Sequence, residues 1–330
     1  MKITFFIGNG FDLNQNLKTS YPEFLKTYLP EKEEDSDIVK YFKKKLEQYN
    51  CWSDLESSLG KILIHYDEET IDDFIKGLND IKKCLSLYLS EQEKKFKYKF
   101  RKIKKELKRT FAMYYNKKGY LYPFFDLYAD NSENNEINFI TFNYTKILNK
   151  MVAKIRKKRY SFDTKTTHNS IGQVISIHGN TNKGFILGLN DKSQINNDKL
   201  KNNDKLLQHI IKSNQVTTMN RCNTHNEVQK IIENSDIIYV YGMSFGETDA
   251  TYWETIVKWL KTNASHKLII NNYNPSFNPI DMGAISYNSQ KISYIFKNYG
   301  ANTNILEEQV FYIENSTLFN FVKKSKKHRI

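Results

Sequence analysis

The chain has 330 residues, of which 39% are hydrophobic and 14% aromatic, so we expect a folded protein with a substantial core and exclude an intrinsically disordered chain. Three widely spaced cysteines (Cys51, Cys84 and Cys222) exclude a disulfide framework, and the lack of a long apolar run excludes a membrane-spanning helix, which predicts a cytoplasmic protein without a membrane partner. The formal charge of +13, from 50 basic and 37 acidic residues, keeps nucleic acid open as a partner because clustered cations displace counterions from phosphates.

The first predicted element is an apolar strand, residues 3–7, that stops at the sequence GNG, residues 8–10. The two glycines would let the backbone approach an anionic or ribosyl group, with free amides pointing at it. The structural alternative is a tight strand-to-helix turn in which Asp12 caps a free amide. The dinucleotide fingerprint GxGxxG is incomplete, because Leu13 stands in place of its third glycine. The turn is a candidate ligand loop on this evidence.

A helical block is predicted next, over residues 31–118, because apolar residues recur there at helical spacing. Within it, Ser53 and Glu56 fit a capping box, so we expect a structural role for Glu56. Between Lys94 and Arg109 the sequence reads KKFKYKFRKIKKELKR. We interpret this stretch as the solvated face of a helix whose apolar residues turn inward, and a phosphate-binding surface is the alternative.

Short β-rich runs begin near residue 136 and alternate with helical or polar stretches. This pattern is typical of an α/β domain with a mostly parallel sheet flanked by helices. The first strand has no partner nearby in the sequence, so we infer that it joins this later sheet. We therefore predict a Rossmann-like α/β domain from residues 1–30 and 119–330, into which the helical block is inserted. The predicted later strands cover residues 137–142, 174–177, 185–189, 237–241, 268–271 and 310–313.

Polar or glycine-rich sequences follow the predicted strands, and a parallel sheet places all of these ends at one edge. Asn143 and His178 each come directly after a strand. An amide can hold a ribose hydroxyl or a water, and a histidine can remove a proton near neutral pH. The structural alternative for His178 is a turn histidine satisfied by backbone groups. Tyr144 and Thr145 have alternatives as a packing residue and a helix cap.

The loop GMSFGETD follows the predicted strand that ends at residue 241. Gly242, Ser244 and Gly246 could wrap a phosphate or a ribose, and Asp249 could accept hydrogen bonds from ribose hydroxyls. The structural alternative is that Thr248 or Asp249 caps the next helix. Both uses of the loop are compatible with the sequence.

Five short motifs stand in a definite order along the chain: IGNGFDLNQNLKTSY, WSDLE, TFNYT, IHGN with ILGLND, and YGMSFGETDATYW. In this order they resemble the AbiH family of bacteriophage abortive infection proteins. The resemblance extends from about residue 7 to about residue 253. It implies a role in bacterial defence, in which an infected cell stops growing or dies before the phage matures.

The same order of motifs is similar to the SIR2-like domains of other defence proteins, which bind and hydrolyse NAD. That resemblance implies that residues 8–10 lie at the nucleotide phosphates, that Asn143 lies at the nicotinamide ribose and that His178 is the catalytic histidine. Two positions depart from the SIR2-like pattern, since Asn9 replaces its alanine and Thr145 replaces its aspartate. A different nucleotide or a nucleotide derivative is therefore also open as the ligand.

The sequence thus predicts a toxic defence enzyme, an NAD glycohydrolase with NAD as its substrate and with no metal, because no histidine pair has metal-ligand spacing. The alternatives are a nucleic-acid-directed toxin that uses the basic segment, and a non-enzymatic nucleotide sensor. A homo-oligomer and a phage trigger stay open as further partners. The candidate catalytic residues are Asn143, His178 and Asp12, and the candidate nucleotide-binding residues are Gly8, Asn9, Gly10, Phe11, Tyr144, Gly179, Gly242, Ser244 and Asp249.

Overall fold

Six parallel strands form the sheet at the centre of the described structure. The computed structural model describes residues 1–28, 32–35, 37–48, 55–97, 100–112, 134–157, 168–181, 184–218, 222–246, 249–273, 282–316 and 318–321. A two-stranded antiparallel hairpin lies apart from the sheet. The sheet contains β1 (Lys2–Ile7), β2 (Asn134–Thr141), β3 (His168–Ser176), β6 (Ile237–Tyr241), β7 (Lys267–Asn272) and β8 (Val310–Glu314), and the hairpin contains β4 (Gly179–Asn180) and β5 (Gly184–Phe185).

The order of the sheet strands, β3-β2-β1-β6-β7-β8, places β1 in the middle. The chain adds β2 and β3 on one side of β1 and later adds β6, β7 and β8 on the other side, so the strand order reverses between β1 and β6. All six carboxyl ends lie at one edge, where open parallel sheets bind their ligands. The predicted Rossmann-like α/β class is confirmed by this topology.

Helices surround the sheet because each carries an apolar stripe. In the helix from Ala250 to Thr262, for example, Trp253, Ile256 and Leu260 are buried at helical spacing. The α-helices of the described part are α1 (Gly10–Asn14), α2 (Tyr21–Tyr28), α3 (Asp37–Gln48), α4 (Leu55–Ile62), α5 (Ile71–Lys95), α6 (Phe100–Ala112), α7 (Ile147–Lys157), α8 (Asp204–Ile210), α9 (Lys212–Thr218), α10 (Cys222–Glu233), α11 (Ala250–Thr262), α12 (Met282–Asn298) and α13 (Thr303–Glu308). None of them is long and apolar enough to cross a membrane.

Two hydrophobic cores lie on the two faces of the sheet. Successive side chains of a strand point to opposite faces, so Phe5 enters one core and Phe6 enters the other. The core around Phe5 contains residues from α6 and α7, and the core around Phe6 contains residues from α10, α11, α12 and α13. Burial on both faces explains why β1 reads as a nearly continuous apolar run.

A third core joins α2, α3, α4 and α5 to the segment 185–211. We call these four helices the helical layer. The predicted strand over residues 185–189 is wrong, because only Gly184–Phe185 form a strand there and Leu189 makes one isolated bridge to Ile211. Its apolar residues are buried against the helical layer, and a short buried run looks the same in either setting. The other five later strands are confirmed, although β3 begins at His168 and not at residue 174 as predicted.

The helical layer contacts the loops at the carboxyl edge of the sheet through α5. The Tyr88 hydroxyl donates to the Lys18 carbonyl at 2.6 Å, in the chain that follows α1. The buried Glu93 carboxylate accepts from the Lys146 amide at 2.8 Å and from the Thr181 hydroxyl at 3.0 Å. The layer is thus fastened to the chain beyond β1, β2 and β3. The predicted domain boundaries stay a prediction, and residues 113–133 lie outside the described part.

The basic segment predicted between Lys94 and Arg109 continues from the end of α5 into α6, with residues 98–99 outside the described part. Ile103 and Leu107 are buried in the core around Phe5, whereas Arg101 is exposed. This arrangement agrees with a solvated helix face whose apolar residues turn inward.

Candidate functional site

The loops that follow β1 and β6 touch each other through backbone atoms. The Gly8 amide donates to the Tyr241 carbonyl at 2.9 Å, and the Gly10 amide donates to the Gly242 carbonyl at 2.8 Å. A Cβ atom on Gly10 would lie 2.5 Å from the Gly242 Cα, and Gly242 has a φ of +65°. These glycines are required for the close contact of two loops. The expectation of free amides on Gly8 and Gly10 is therefore wrong.

The two other predicted binding residues of this turn face the protein interior. The Asn9 side chain accepts from the Thr19 hydroxyl at 2.6 Å and donates to the Thr19 carbonyl at 3.0 Å. Phe11 is fully buried, with ring centroids 5.7 Å from Phe319 and 6.0 Å from Phe321. Both side chains stabilise the turn, and their contact with a ligand stays a prediction.

Asp12 holds a carboxyl group that is only 1% exposed. The Thr145 hydroxyl donates to Asp12 Oδ2 at 2.6 Å, while Asp12 Oδ1 has no hydrogen-bond partner among the described residues. Burial raises the pKa of Asp12 to about 7, the charge of Glu93 adds to the increase, and Thr145 and Asn143 oppose it. The Asp12 carboxyl can therefore bind or release a proton near neutral pH.

Asn143 follows β2 and is also buried, with 6% of its surface exposed. Its amide nitrogen and its amide oxygen both lack a partner of ordinary hydrogen-bond geometry among the described residues. An unpaired buried amide costs free energy, so such groups usually have a ligand or a water as partner. The amide lies close enough to Asp12 to lower the pKa of that carboxyl.

His178 lies beyond β3 and is paired with a carboxylate. Its Nε2 is 3.0 Å from Asp249 Oδ1, and its ring is 5.6 Å from Phe142 and 6.2 Å from Tyr144, measured between centroids. In the sequence, Asn143 lies between Phe142 and Tyr144, and the rings of both pack against this imidazole. The Asp249 side chain makes no cap to α11, so the structural alternative of a helix cap is wrong for Asp249. Because His178 is paired with the Asp249 carboxylate, the alternative of a turn histidine that only backbone groups hold is wrong as well.

Lys212, the first residue of α9, joins Asp249 to the helical layer. Its ammonium lies 3.0 Å from Asp249 Oδ1 and 2.9 Å from Glu56 Oε2. Burial raises the pKa of Asp249, but Lys212 and His178 outweigh burial and hold this pKa well below its usual range. Burial lowers the pKa of Lys212, but Glu56 and Asp249 outweigh it and raise this pKa. We call Glu56, Lys212, Asp249 and His178 the charged row.

Tyr144 supports the charged row from the loop that follows β2. Its hydroxyl lies 3.1 Å from Glu56 Oε1 and 3.1 Å from the Ile186 carbonyl, and its ring centroid is 4.6 Å from that of Phe185. Burial, with the nearby charge of Glu56, raises the pKa of Tyr144 well above its ordinary value. The phenol is neutral at physiological pH and can donate its proton in a hydrogen bond.

The remaining predicted binding residues are placed by their loops. Gly179 has a φ of +79° and opens the hairpin that follows His178. Ser244 is exposed in the loop beyond Gly242. The structure therefore gathers the buried groups of the site into two neighbouring sets at the carboxyl edge, which are the charged row and the Asp12, Asn143 and Thr145 cluster.

Two members of the charged row differ from the sequence-based interpretation. Lys212 is not among the candidates, because a single lysine at the start of a short helix carries no local signal of its partners. Glu56 was assigned to a capping box whose Ser53 lies outside the described residues, but its carboxylate pairs with Lys212. Within the described part, no cluster of three or more histidine, cysteine, aspartate or glutamate residues could hold a metal ion.

Comparison with known proteins shows which family the chain matches. A family model described as bacteriophage abortive infection AbiH matches residues 4–271. The match includes β1, the helical layer, the charged row and β6. A search of the curated proteins found no match.

Proposed function

The chain belongs to the bacteriophage abortive infection AbiH family, and we propose that it acts there as an enzyme that hydrolyses NAD at the bond between nicotinamide and ribose. Family membership implies a function in abortive infection. The reaction itself is inferred from the carboxyl edge of the sheet and from the similarity of the motif order to SIR2-like domains.

The pairing of His178 with Asp249 is the observation that carries this proposal. Because Asp249 stays ionised, it accepts a hydrogen bond from Nε2–H of the neutral imidazole. Nδ1 is then the nitrogen that can accept a proton. A histidine oriented by a partly buried carboxylate can act as a general base, and this pair lies beyond β3 at the carboxyl edge of the sheet.

The proposed reaction uses water and needs no oxidant. The bond between the ribose C1′ and the nicotinamide nitrogen breaks, and its electron pair leaves with neutral nicotinamide. The oxygen of water bonds to C1′, and His178 takes up the proton that water releases, which gives ADP-ribose. His178 later returns that proton to solvent.

The charge of the site supports this choice of reaction. The charged row contains two carboxylates and one ammonium, so it has a net negative charge while His178 is neutral. Positive charge develops on the ribose as nicotinamide leaves, and a fixed negative environment stabilises it. Asn143 would orient a ribose hydroxyl or the water, and Asp12 would add negative charge when it is ionised.

Incubation of the purified protein with NAD tests the proposal. We expect nicotinamide and ADP-ribose to accumulate with the wild type, and His178→Ala to lose at least about 100-fold in rate because a general base contributes that much. His168→Ala is the matched control, because His168 is exposed at the opposite end of β3. Binding of NAD without products would favour a sensor, and neither binding nor products would overturn the proposal.

A further inference from the structure

We propose that Lys212 is a positioning residue that sets how strongly His178 holds a proton, and that Glu56 in turn sets the field of Lys212. This inference rests on the proposed function, because it assigns the regulation of the same base. It makes α4, an element of the helical layer, part of the machinery that controls the base.

The charged row is continuous from the helical layer to the imidazole. Glu56 lies in α4, Lys212 begins α9 and Asp249 immediately precedes α11. Each link is 2.9 to 3.0 Å long between the nitrogen of one side chain and the carboxylate oxygen of the next. The side chains of Glu56, Lys212 and Asp249, which are distant in the sequence, therefore contact one another through their charged groups.

Burial makes these charges effective over the length of the row. The side chains of Glu56 and Lys212 are 8% and 9% exposed, and that of Asp249 is 17% exposed. Charges that are shielded from water interact more strongly than charges on the surface. Lys212 therefore reduces the attraction of Asp249 for a proton on His178, and Glu56 reduces the effect of Lys212.

The other charged or titratable groups near His178 do not replace this control. Tyr144 packs against the imidazole and stays neutral, because burial raises its pKa well above the ordinary value. Tyr252 packs against Phe142, and burial raises its pKa as well. Within the described part, Lys212 is the cation bound to the carboxylate that His178 uses.

Titration of the His178 imidazole by nuclear magnetic resonance tests the inference directly. Lys212→Met should raise the pKa of His178 by about one unit, a tenfold gain in proton affinity, because the cation beside Asp249 is lost. Glu56→Gln should lower this pKa, because Lys212 then acts without its second carboxylate. Lys212→Arg keeps the charge and should restore a value close to that of the wild type.

Opposite shifts in the two variants distinguish a charge effect from loss of packing. Lys199→Met is the matched control, because Lys199 is exposed, and it should leave the titration unchanged. If Lys212→Met does not fold, as judged by circular dichroism, Glu56→Gln and Lys212→Arg decide the question. Shifts of the same sign in Lys212→Met and Glu56→Gln, or no shift in Glu56→Gln, would overturn the inference.

Kinetics add a second measurement for the case in which NAD is hydrolysed. On the lower limb of the pH profile Lys212→Met should lower kcat with little change in KM, because this limb moves upward with the pKa of His178. The titration does not depend on the substrate. Failure of NAD hydrolysis with the predicted titration would therefore remove the proposed reaction and leave the role of Lys212 intact.

Discussion

At the scale of single residues, burial sets the protonation of Asp12. Its carboxyl has one hydrogen bond from Thr145 and one unpaired oxygen, and burial raises its pKa from 3.8 to about 7. A group of this kind is unfavourable for folding when it is ionised. It persists where an ionised or proton-donating carboxyl serves a ligand, which agrees with the unpaired amide of Asn143 beside it.

The pH dependence of stability tests the state of Asp12. Its contribution is fully present below pH 3.8 and is lost as the pH rises toward about 7, because the unfolded chain releases the proton first. Asp12→Asn cannot ionise, so its free energy of unfolding relative to the wild type should grow by roughly 2 kcal/mol between pH 5 and pH 7. Urea unfolding at several pH values measures this difference.

The exposed Asp204 provides the control for that series. Asp204→Asn makes the same substitution at an exposed carboxyl and should follow the wild type at every pH, because it removes no buried charge. Parallel pH curves for Asp12→Asn and the wild type would contradict the assignment of a raised pKa to Asp12.

At the scale of elements, the loops after β1 and β6 hold the centre of the sheet edge together. Gly8 and Gly10 hydrogen-bond to the backbone of Tyr241 and Gly242 across the point at which the strand order reverses. The loops leave no space for a side chain at this contact. Their geometry fixes the start of α1, and with it the position of Asp12.

Substitution of Gly242 tests this contact. Gly242→Ala should lower the free energy of unfolding by about 2 to 4 kcal/mol, because alanine combines an unfavourable positive φ with overlap of its Cβ and the Gly10 Cα. Gly300 has a φ of +87° but faces only the flexible Lys261 ammonium. Gly300→Ala should therefore cost about 1 kcal/mol. Equal losses in urea unfolding would show that the loop contact contributes nothing.

Sequence patterns predicted elements better than they predicted partners. The strand at residues 237–241 was predicted with its observed limits, because an apolar run between polar turns is a local property. The run at residues 185–189 was assigned to the sheet, although it packs on helices, since burial alone does not specify the neighbour. His178 and Asp249 were both candidates, but their pairing depends on the loop path before α11. Lys212 and Glu56 meet only through the tertiary fold.

At the scale of the whole molecule, side-chain contacts join the helical layer to the carboxyl edge of the sheet. Glu93 and Tyr88 fasten α5 to the chain beyond the strands, and Glu56 reaches the charged row from α4. Helices that contact the carboxyl edge of a parallel sheet can control access to a site there and the charge within it. The apolar face of α6 packs on the sheet, and nucleic acid stays the alternative partner of the basic segment.

Mass spectrometry of NAD in phage-challenged cells is the measurement that tests the central claim most directly. Cells with the wild type or His168→Ala should lose NAD and gain nicotinamide and ADP-ribose as defence begins, whereas cells with His178→Ala should keep NAD and release phage. Effective defence with unchanged NAD in wild-type cells would contradict the account, and RNA integrity in the same samples would then show whether nucleic acid is the target.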